Sequence, residues 1–481
     1  MKRILLFIAL SCTISASAQT YTLQQLKDSA LHNNFAIRSG KYNIEAAQQQ
    51  RKEAFTKYFP SVSGRGLWFN ANRGMAKMDI NPSEMMSSEM GAMLSQILPP
   101  ELLAAMADPI SISMMKNGTI AGLQAVQPVF VGGQIINGNR LAKVGEDVSR
   151  LQLQLSENEV EKTVEQYFWQ LVSLQEKMKT IAAVDTLLGD IHKDVDVAVR
   201  AGIAMRNDLL QVQLRQNDVE SQRLKLQNAI SIVKQLLGQY CGLRPSTGNL
   251  SPSSEGEGSI FTFEIIVPDM DPKNELLPSP VEKRSGAEQV QSSTFNLQSS
   301  MFNVQSLPEY QLLDKQVEAT KLQHRMEVGT NLPTVAVGAG YNYHNLLENN
   351  HTFGMIFATV SVPISDWWGG FHAVKRKKIE YQKAQEQLAD NAELLEIRML
   401  NAWNGVVEAR QQLDIAQRSI EQAEENLRLN RNYYRAGTST MSNLLEAQLL
   451  YQQSLDRRTD AFADYQNKLL AYRHASGQAL P

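Results

Sequence analysis

Apolar residues recur every three or four positions along two long stretches of this chain. The first runs through Val160, Val164, Tyr167, Leu171, Leu174, Met178 and Ile181, the second through Leu395, Met399, Ala402, Val406, Ala409, Leu413 and Ala416. Alternating four- and three-residue steps make the seam of a coiled coil. The second seam continues through Ile420, Ala423 and Leu427 to Tyr434, whereas Asp185 and His192 are expected to interrupt the first. His192 reads as a solvated edge residue, not a ligand. The stretches from Gly133 to Gly202 and from Gly370 to Gly437 each leave room for a helix of roughly 65 residues, about 100 Å at 1.5 Å per residue. Such helices must project from a body or line an extended tube.

A second pattern has period two. Val335 to Tyr343 alternates larger apolar residues with Ala, Gly and Asn, and Thr352 to Val362 carries Phe353, Met355 and Phe357 on one face. The two predict an antiparallel hairpin closed around His344 to His351, with one face suited to lipid and the other to water. Ser61 to Phe69 and Thr119 to Val126 predict a matching pair. Each run has about nine to eleven residues, the length of a tilted membrane strand. Past the N-terminal segment no run of 18 apolar residues exists, so any membrane span must be made of strands. Four strands close no barrel, and an open sheet edge cannot sit in hydrocarbon, so such a chain must oligomerise. Three copies would supply twelve strands, although closure alone does not choose three. The competing reading is a soluble periplasmic coiled-coil scaffold with a small four-stranded cap.

The two halves parallel each other. Phe59-Pro60-Ser61-Val62 matches Leu332-Pro333-Thr334-Val335, where each proline stops a helix and starts a strand. The run Gln127 to Gly133 matches Val362 to Gly370, each closing a strand and opening a long helix. Arg200-Ala201-Gly202 and Arg435-Ala436-Gly437, followed by Leu209-Leu210 and Leu444-Leu445, share an offset of 235 residues, which also aligns the two seams. The expected organisation is a signal peptide over 1–18, a first repeat over 19–245, an irregular linker over 246–306 and a second repeat over 307–481. The linker is rich in Ser, Pro, Gly and Asn, with a strand-like run from Phe261 to Val267. Residues 70–118 interrupt the first hairpin and hold nine of the 18 methionines. That loop reads as an extracellular lid with a short helix over Glu101 to Ala107, in preference to a Cu(I) site.

Composition narrows the function. Lys2 and Arg3, the apolar run Ile4 to Leu10 and Ala16-Ser17-Ala18 have the zones of a secretory signal, with cleavage expected before Gln19. Ala9-Leu10-Ser11 before Cys12 fits a lipoprotein box poorly. After cleavage Cys241 is the one remaining cysteine, which leaves no disulfide or cysteine metal cluster. A net charge of −3 without a dense basic block gives no reason to invoke nucleic acid. No phosphate loop, nucleophile elbow or metal-spaced His pair is present, so the chain reads as no enzyme, with no cofactor and no metal. His344 and His351 flank a loop tip and are not read as a metal pair.

The doubled helix-proline-strand junctions at Pro60 and Pro333, the strand-helix junctions at Pro128 and Pro363, and the two Arg-Ala-Gly turns resemble the TolC-like outer-membrane efflux proteins over essentially the whole mature chain. The resemblance implies a mostly helical homotrimer with four strands per protomer in a twelve-stranded barrel within outer-membrane lipid. It also implies a coiled-coil tunnel in the periplasm, a periplasmic adaptor and an inner-membrane transporter. In such proteins the turns at Arg200, Gly202, Arg435 and Gly437 are adaptor-docking tips. The family's gate pairs an aspartate six residues past the first tip glycine, here Asp208, with a tyrosine three residues before the second, here Tyr434. The family arginine two residues past the second glycine is Ser439 here, and Arg206 or Arg435 is the candidate substitute. Acidic residues six and nine places past that glycine ring the constriction; here they are Asn443 and Glu446. The expected function is the exit duct of a tripartite efflux system for small molecules such as drugs or metals. A conduit for type I protein secretion is the alternative.

Overall fold

The computed structural model describes residues 19–73, 76–80, 110–114, 117–243, 263–267, 304–346, 350–364 and 366–477, with four isolated positions between 93 and 99. The signal segment, the expected short helix over 101–107 and most of the linker lie outside the described residues. In chain order the elements are β1 (Gln19–Tyr21), α1 (Leu23–Asn33), α2 (Phe35–Thr56), β2 (Ser61–Asn70), β3 (Ala76–Ile80), β4 (Ile110–Met114), β5 (Asn117–Val131), α3 (Gln134–Arg200), α4 (Arg206–Tyr240), β6 (Phe263–Ile265), α5 (Pro308–Thr330), β7 (Thr334–His344), β8 (His351–Ser361), α6 (Asp366–Arg435) and α7 (Met441–Ser476). Two compact units result. One contains residues 1–46, 147–316 and 385–481, and the other residues 47–146 and 317–384.

The second unit is built around an antiparallel sheet in the order β2-β5-β7-β8. Paired positions put Val62, Trp68, Leu123, Val337, Tyr341, Ile356 and Val360 on one face; the other is mixed, with Arg65, Gln124, Asn342, His344 and His351 beside Leu67, Ile120, Phe353, Met355 and Phe357. The apolar face is open to solvent in the single chain: Ile356 is 89% exposed and Trp68 70%. A face of this kind, on strands of ten residues or more, belongs against another apolar phase.

Two features of this unit correct the sequence reading. β5 does not stop at Val126 but runs through Pro128 to Val131. Its partner β2 ends at the Ser61–Val126 pair, and the ladder to β7 is irregular between Pro128 and Phe130. The missing proline N–H thus falls beyond the reach of β2 and beside a bulge, where it costs little. The two strand-helix junctions also differ. Gly132 and Gly133 have φ of +60° and +77°, and a Cβ on Gly132 would collide with the backbone of Gly329. Gly369 and Gly370 instead lie inside α6, and the junction there is closed by Trp367 Nε1 donating to the Asn331 carbonyl at 3.1 Å. Inside the long first loop, β3 pairs with β4 as a short ribbon from Ala76–Met114 to Ile80–Ile110.

The first unit is helical. α1 starts at a capping box in which Thr22 Oγ1 accepts from Gln25 N and Thr22 N donates to Gln25 Oε1. Its Leu26 and Ala30 pack with Val160, Val164, Phe168, Trp169 and Leu171 of α3, with Leu237 of α4, and with Leu413 and Phe462. Lys27 Nζ enters that core to meet Glu165 Oε2 at 2.5 Å. The expected strand at Phe261 to Val267 is the shorter β6, and it pairs in parallel with β1.

The second seam is buried at Met399, Val406, Ala409, Leu413, Ala416, Ala423 and Leu427. The first is not interrupted. After Ile181 it passes through Val184, Leu188, Ile191 and Val195, all buried, and leaves Asp185 exposed and His192 partly exposed. An apolar neighbour one residue earlier offered the helix a continuous stripe, and the helix follows it.

Candidate functional site at the hairpin tips

Both long hairpins turn in the same way. At the first tip Ile203 N donates to the Ala198 carbonyl and Gly202 N to that of Val199; at the second, Thr438 N reaches Tyr433 and Gly437 N reaches Tyr434. These are Schellman closures, which need a left-handed residue. Gly202 and Gly437 supply it at φ +72° and +70°. Gly242, at the end of α4, repeats the closure at φ +64°.

The second helix of each hairpin begins differently. In α4 the residue before the first turn is Met205, whose side chain offers no cap, and Asp208 Oδ2 accepts the Met205 N–H at 3.2 Å. In α7 Thr440 Oγ1 accepts from Asn443 N at 3.3 Å, and the Asn443 amide donates to Ser439 Oγ at 3.2 Å. Asp208 and Asn443 are 235 residues apart in sequence. The two tips thus carry opposite halves of a capping box, Asp208 accepting the N–H that precedes its helix and Thr440 accepting an N–H of the first turn, and the Asp208 charge favours the helix N-terminus.

A cleft of about 910 Å³ lies between the tips, lined among others by Asp194, Ile203, Asp208, Tyr434, Arg435 and Thr440. Asp208 and Tyr434 are thus brought to one site. No hydrogen bond joins them among the described residues, since the bond Asp208 makes is to Met205 N. Burial, and secondarily the Asp208 carboxylate, push the Tyr434 phenol above its ordinary range, which keeps it a neutral hydroxyl donor. Arg435 Nη2 spans to Asp194 Oδ2 of α3 at 3.0 Å, whereas Arg200 folds back onto Asp196 of its own helix. Both partners of the Arg435 bridge are more than half exposed, so it contributes about 0–1 kcal/mol. Arg435 is committed to that bridge, and Arg206 does not line the cleft. Asn443 and Glu446 are exposed on α7. Apolar side chains stand out at the rim, with Ile203 84% and Met205 74% exposed.

Sequence reasoning missed the polar node beneath the tips. Arg215 of α4 donates through Nε to Gln448 Oε1 at 3.0 Å and through Nη2 to Gln452 Oε1 at 2.7 Å, and Gln452 Nε2 donates to Gln222 Oε1 at 2.9 Å. Gln448 and Gln452 are buried. Burial lowers the Arg215 pKa, opposed by Asp218. Ser442 and Gln211 add a further bond between α4 and α7 at 3.2 Å. The signal for this node was glutamine at buried seam positions, which in sequence looks like solvated helix surface.

Residues 308–478 match the family of outer membrane efflux proteins. No curated protein matches the chain at the sequence level. Among solved structures, the outer membrane protein VceC of Vibrio cholerae aligns at 14% identity over 95% of this chain and 96% of its own, with a TM-score of 0.66. The CmeC outer membrane channel of Campylobacter jejuni aligns at 14% identity, over 95% and 85%, with a TM-score of 0.65. The open state of the MtrE outer membrane channel of Neisseria gonorrhoeae aligns at 14% identity, over 95% and 88%, with a TM-score of 0.67.

Proposed function

We propose that this chain, whose residues 308–478 match the family of outer membrane efflux proteins, is the exit duct of a tripartite efflux system. Three copies close a twelve-stranded barrel from the four-stranded sheet of each. Long helices extend the passage into the periplasm, and small molecules arrive from an inner-membrane transporter through an adaptor. The halves of the chain act as two tandem repeats.

The observation that carries this reading is the sheet. β2 and β8 are its two edges and run in opposite directions, so β8 of one copy can pair antiparallel with β2 of the next. An apolar face with open edges is stable in lipid only when the edges are closed. The helices support the same assembly. On α4 the exposed residues Leu210, Leu214, Leu224, Ile232 and Leu236 fall within a stripe roughly 120° wide at 100° per residue, which suits burial against a second copy.

At the tips, the residues around Arg200, Gly202, Arg435 and Gly437 receive the adaptor on the apolar rim of Ile203 and Met205. Asp208 and Tyr434 form the latch, and threefold repetition of Asn443 and Glu446 makes a polar ring and an acidic ring at the constriction. Separation of membranes tests the assembly. The processed chain is expected in the outer membrane as trimers that survive detergent until heated, and recovery in the soluble periplasm would refute it. For the latch, Asp208→Ala is expected to raise single-channel conductance in planar bilayers, and unchanged conductance would refute its role.

A further inference from the structure

At the loop end of the β7–β8 hairpin, two imidazoles face each other. His344 and His351 are directly paired, the last rung of that ladder, and direct pairs place both side chains on one face of the sheet. Their ring centres are 5.6 Å apart and their planes are inclined by 34°. One nitrogen of each ring binding a common ion at about 2.0–2.1 Å sets two imidazole centres about 5–6 Å apart. The observed separation of the ring centres falls in that range.

The pair is held from several sides. Phe353 meets His344 edge-on at 6.0 Å. Tyr343 Oη donates to Asn350 Oδ1 at 2.9 Å across the neighbouring rung, and Asn345 exchanges hydrogen bonds with the Thr119 backbone through its own N–H and its Oδ1. These contacts fix the backbone on both sides of the pair. The rings themselves have no comparable commitment. His344 Nδ1 is buried without a hydrogen-bond partner among the described residues. A buried ring nitrogen left unpaired is a cost, and metal ligation or protonation by a partner is what usually relieves it.

We propose that His344 and His351 form a two-imidazole site for a divalent transition-metal ion such as Zn(II), Ni(II) or Cu(II). Neutral imidazole suits all three, and Ca(II) or Mg(II), which require oxygen ligands, are not expected to bind. Among the described residues no third His, Cys, Asp or Glu joins them, so water or chloride completes the coordination. Bound metal would staple β7 to β8 at the end of the hairpin. The site lies within one chain and does not depend on how copies assemble.

The test is calorimetric titration of ZnCl2 into the full-length chain, purified in detergent without a histidine tag. Zinc also separates this site from the methionines of the first loop, whose thioethers favour Cu(I). The expected result is one zinc ion per chain, with affinity at least tenfold weaker in His344→Ala and in His351→Ala, and unchanged in His324→Ala. Cu(II) loaded at one equivalent is expected to show two equivalent nitrogen couplings in its electron paramagnetic resonance spectrum. Unaltered circular dichroism would verify that the variants fold. Zinc affinity equal in the wild type and both variants, or a copper spectrum with a single nitrogen, would overturn the assignment.

Discussion

Arg215→Met offers a quantitative probe of how the hairpins are held together below the tips. The substitution keeps the apolar stem and removes both donors, leaving Gln448 Oε1 and Gln452 Oε1 without their partner. Gln448 is 0% and Gln452 3% exposed, so neither oxygen can turn to water. An orphaned buried acceptor costs about 1–3 kcal/mol, and two give about 2–6 kcal/mol. The triple variant Arg215→Met, Gln448→Leu, Gln452→Leu replaces the node with packed apolar atoms and is expected to recover most of that loss. Gln222 is only partly buried and its oxygen can reach water. Urea unfolding of the purified chain in detergent, followed by far-UV circular dichroism, measures both changes. A loss below about 0.5 kcal/mol in the single variant would refute this reasoning, as would a triple variant no more stable than the single.

Two glycine classes should separate cleanly in the same assay. Gly202→Ala and Gly437→Ala meet no atom within 4 Å at positive φ, so each is expected to cost only the backbone term of about 1–2 kcal/mol. Gly132→Ala adds a collision with the Gly329 carbonyl and is expected to cost clearly more; equal losses would contradict the close approach. His474 supplies a pH dependence. Burial lowers its pKa, and Glu165, Lys162, Lys27 and Glu159 surround it with charges of both signs. The folded chain therefore binds that proton more weakly than the unfolded chain. The resulting stability is present above the unfolded value of about 6.5 and is lost as pH falls through the folded pKa. Thermal midpoints are expected to drop on acidification below that value, and less so in His474→Gln; parallel curves would contradict it.

What could be read from sequence was what local chemistry decides. Pro60 and Pro333 end helices because they must, and the two tip glycines announce their left-handed closure through the Arg-Ala-Gly repeat. The second seam was legible because its apolar residues have no competitor one position away. The first had one: Val184 beside Asp185 and Ile191 beside His192 let the buried stripe shift, a choice made by packing against Leu427, Met441 and Leu444. The run of β5 through Pro128 was illegible because it depends on where β2 ends. The parallel pairing of β1 with β6 joins segments more than 240 residues apart, which no local pattern encodes. At the tips, the family resemblance pointed to Asp208 and Tyr434, which line one cleft, but nothing in the sequence showed that Asp208 caps α4 or that Asp194 takes up Arg435. Both follow from three-dimensional neighbours.

Closure of the sheet between copies is the central claim, and cysteine pairing across its edges tests it most directly. Gly66 lies on the apolar face of β2, and a side chain there meets no atom within 4 Å. Gly66→Cys can therefore be combined with single cysteines scanned along β8 from His351 to Ser361. The native Cys241 is buried, which pushes its thiol up to about 12, so it will not compete. In outer membranes the expected result is disulfide-linked dimers and trimers, confined to alternate β8 positions that share the face of Ile356. Monomers throughout the scan, in a chain recovered folded from that membrane, would contradict the account.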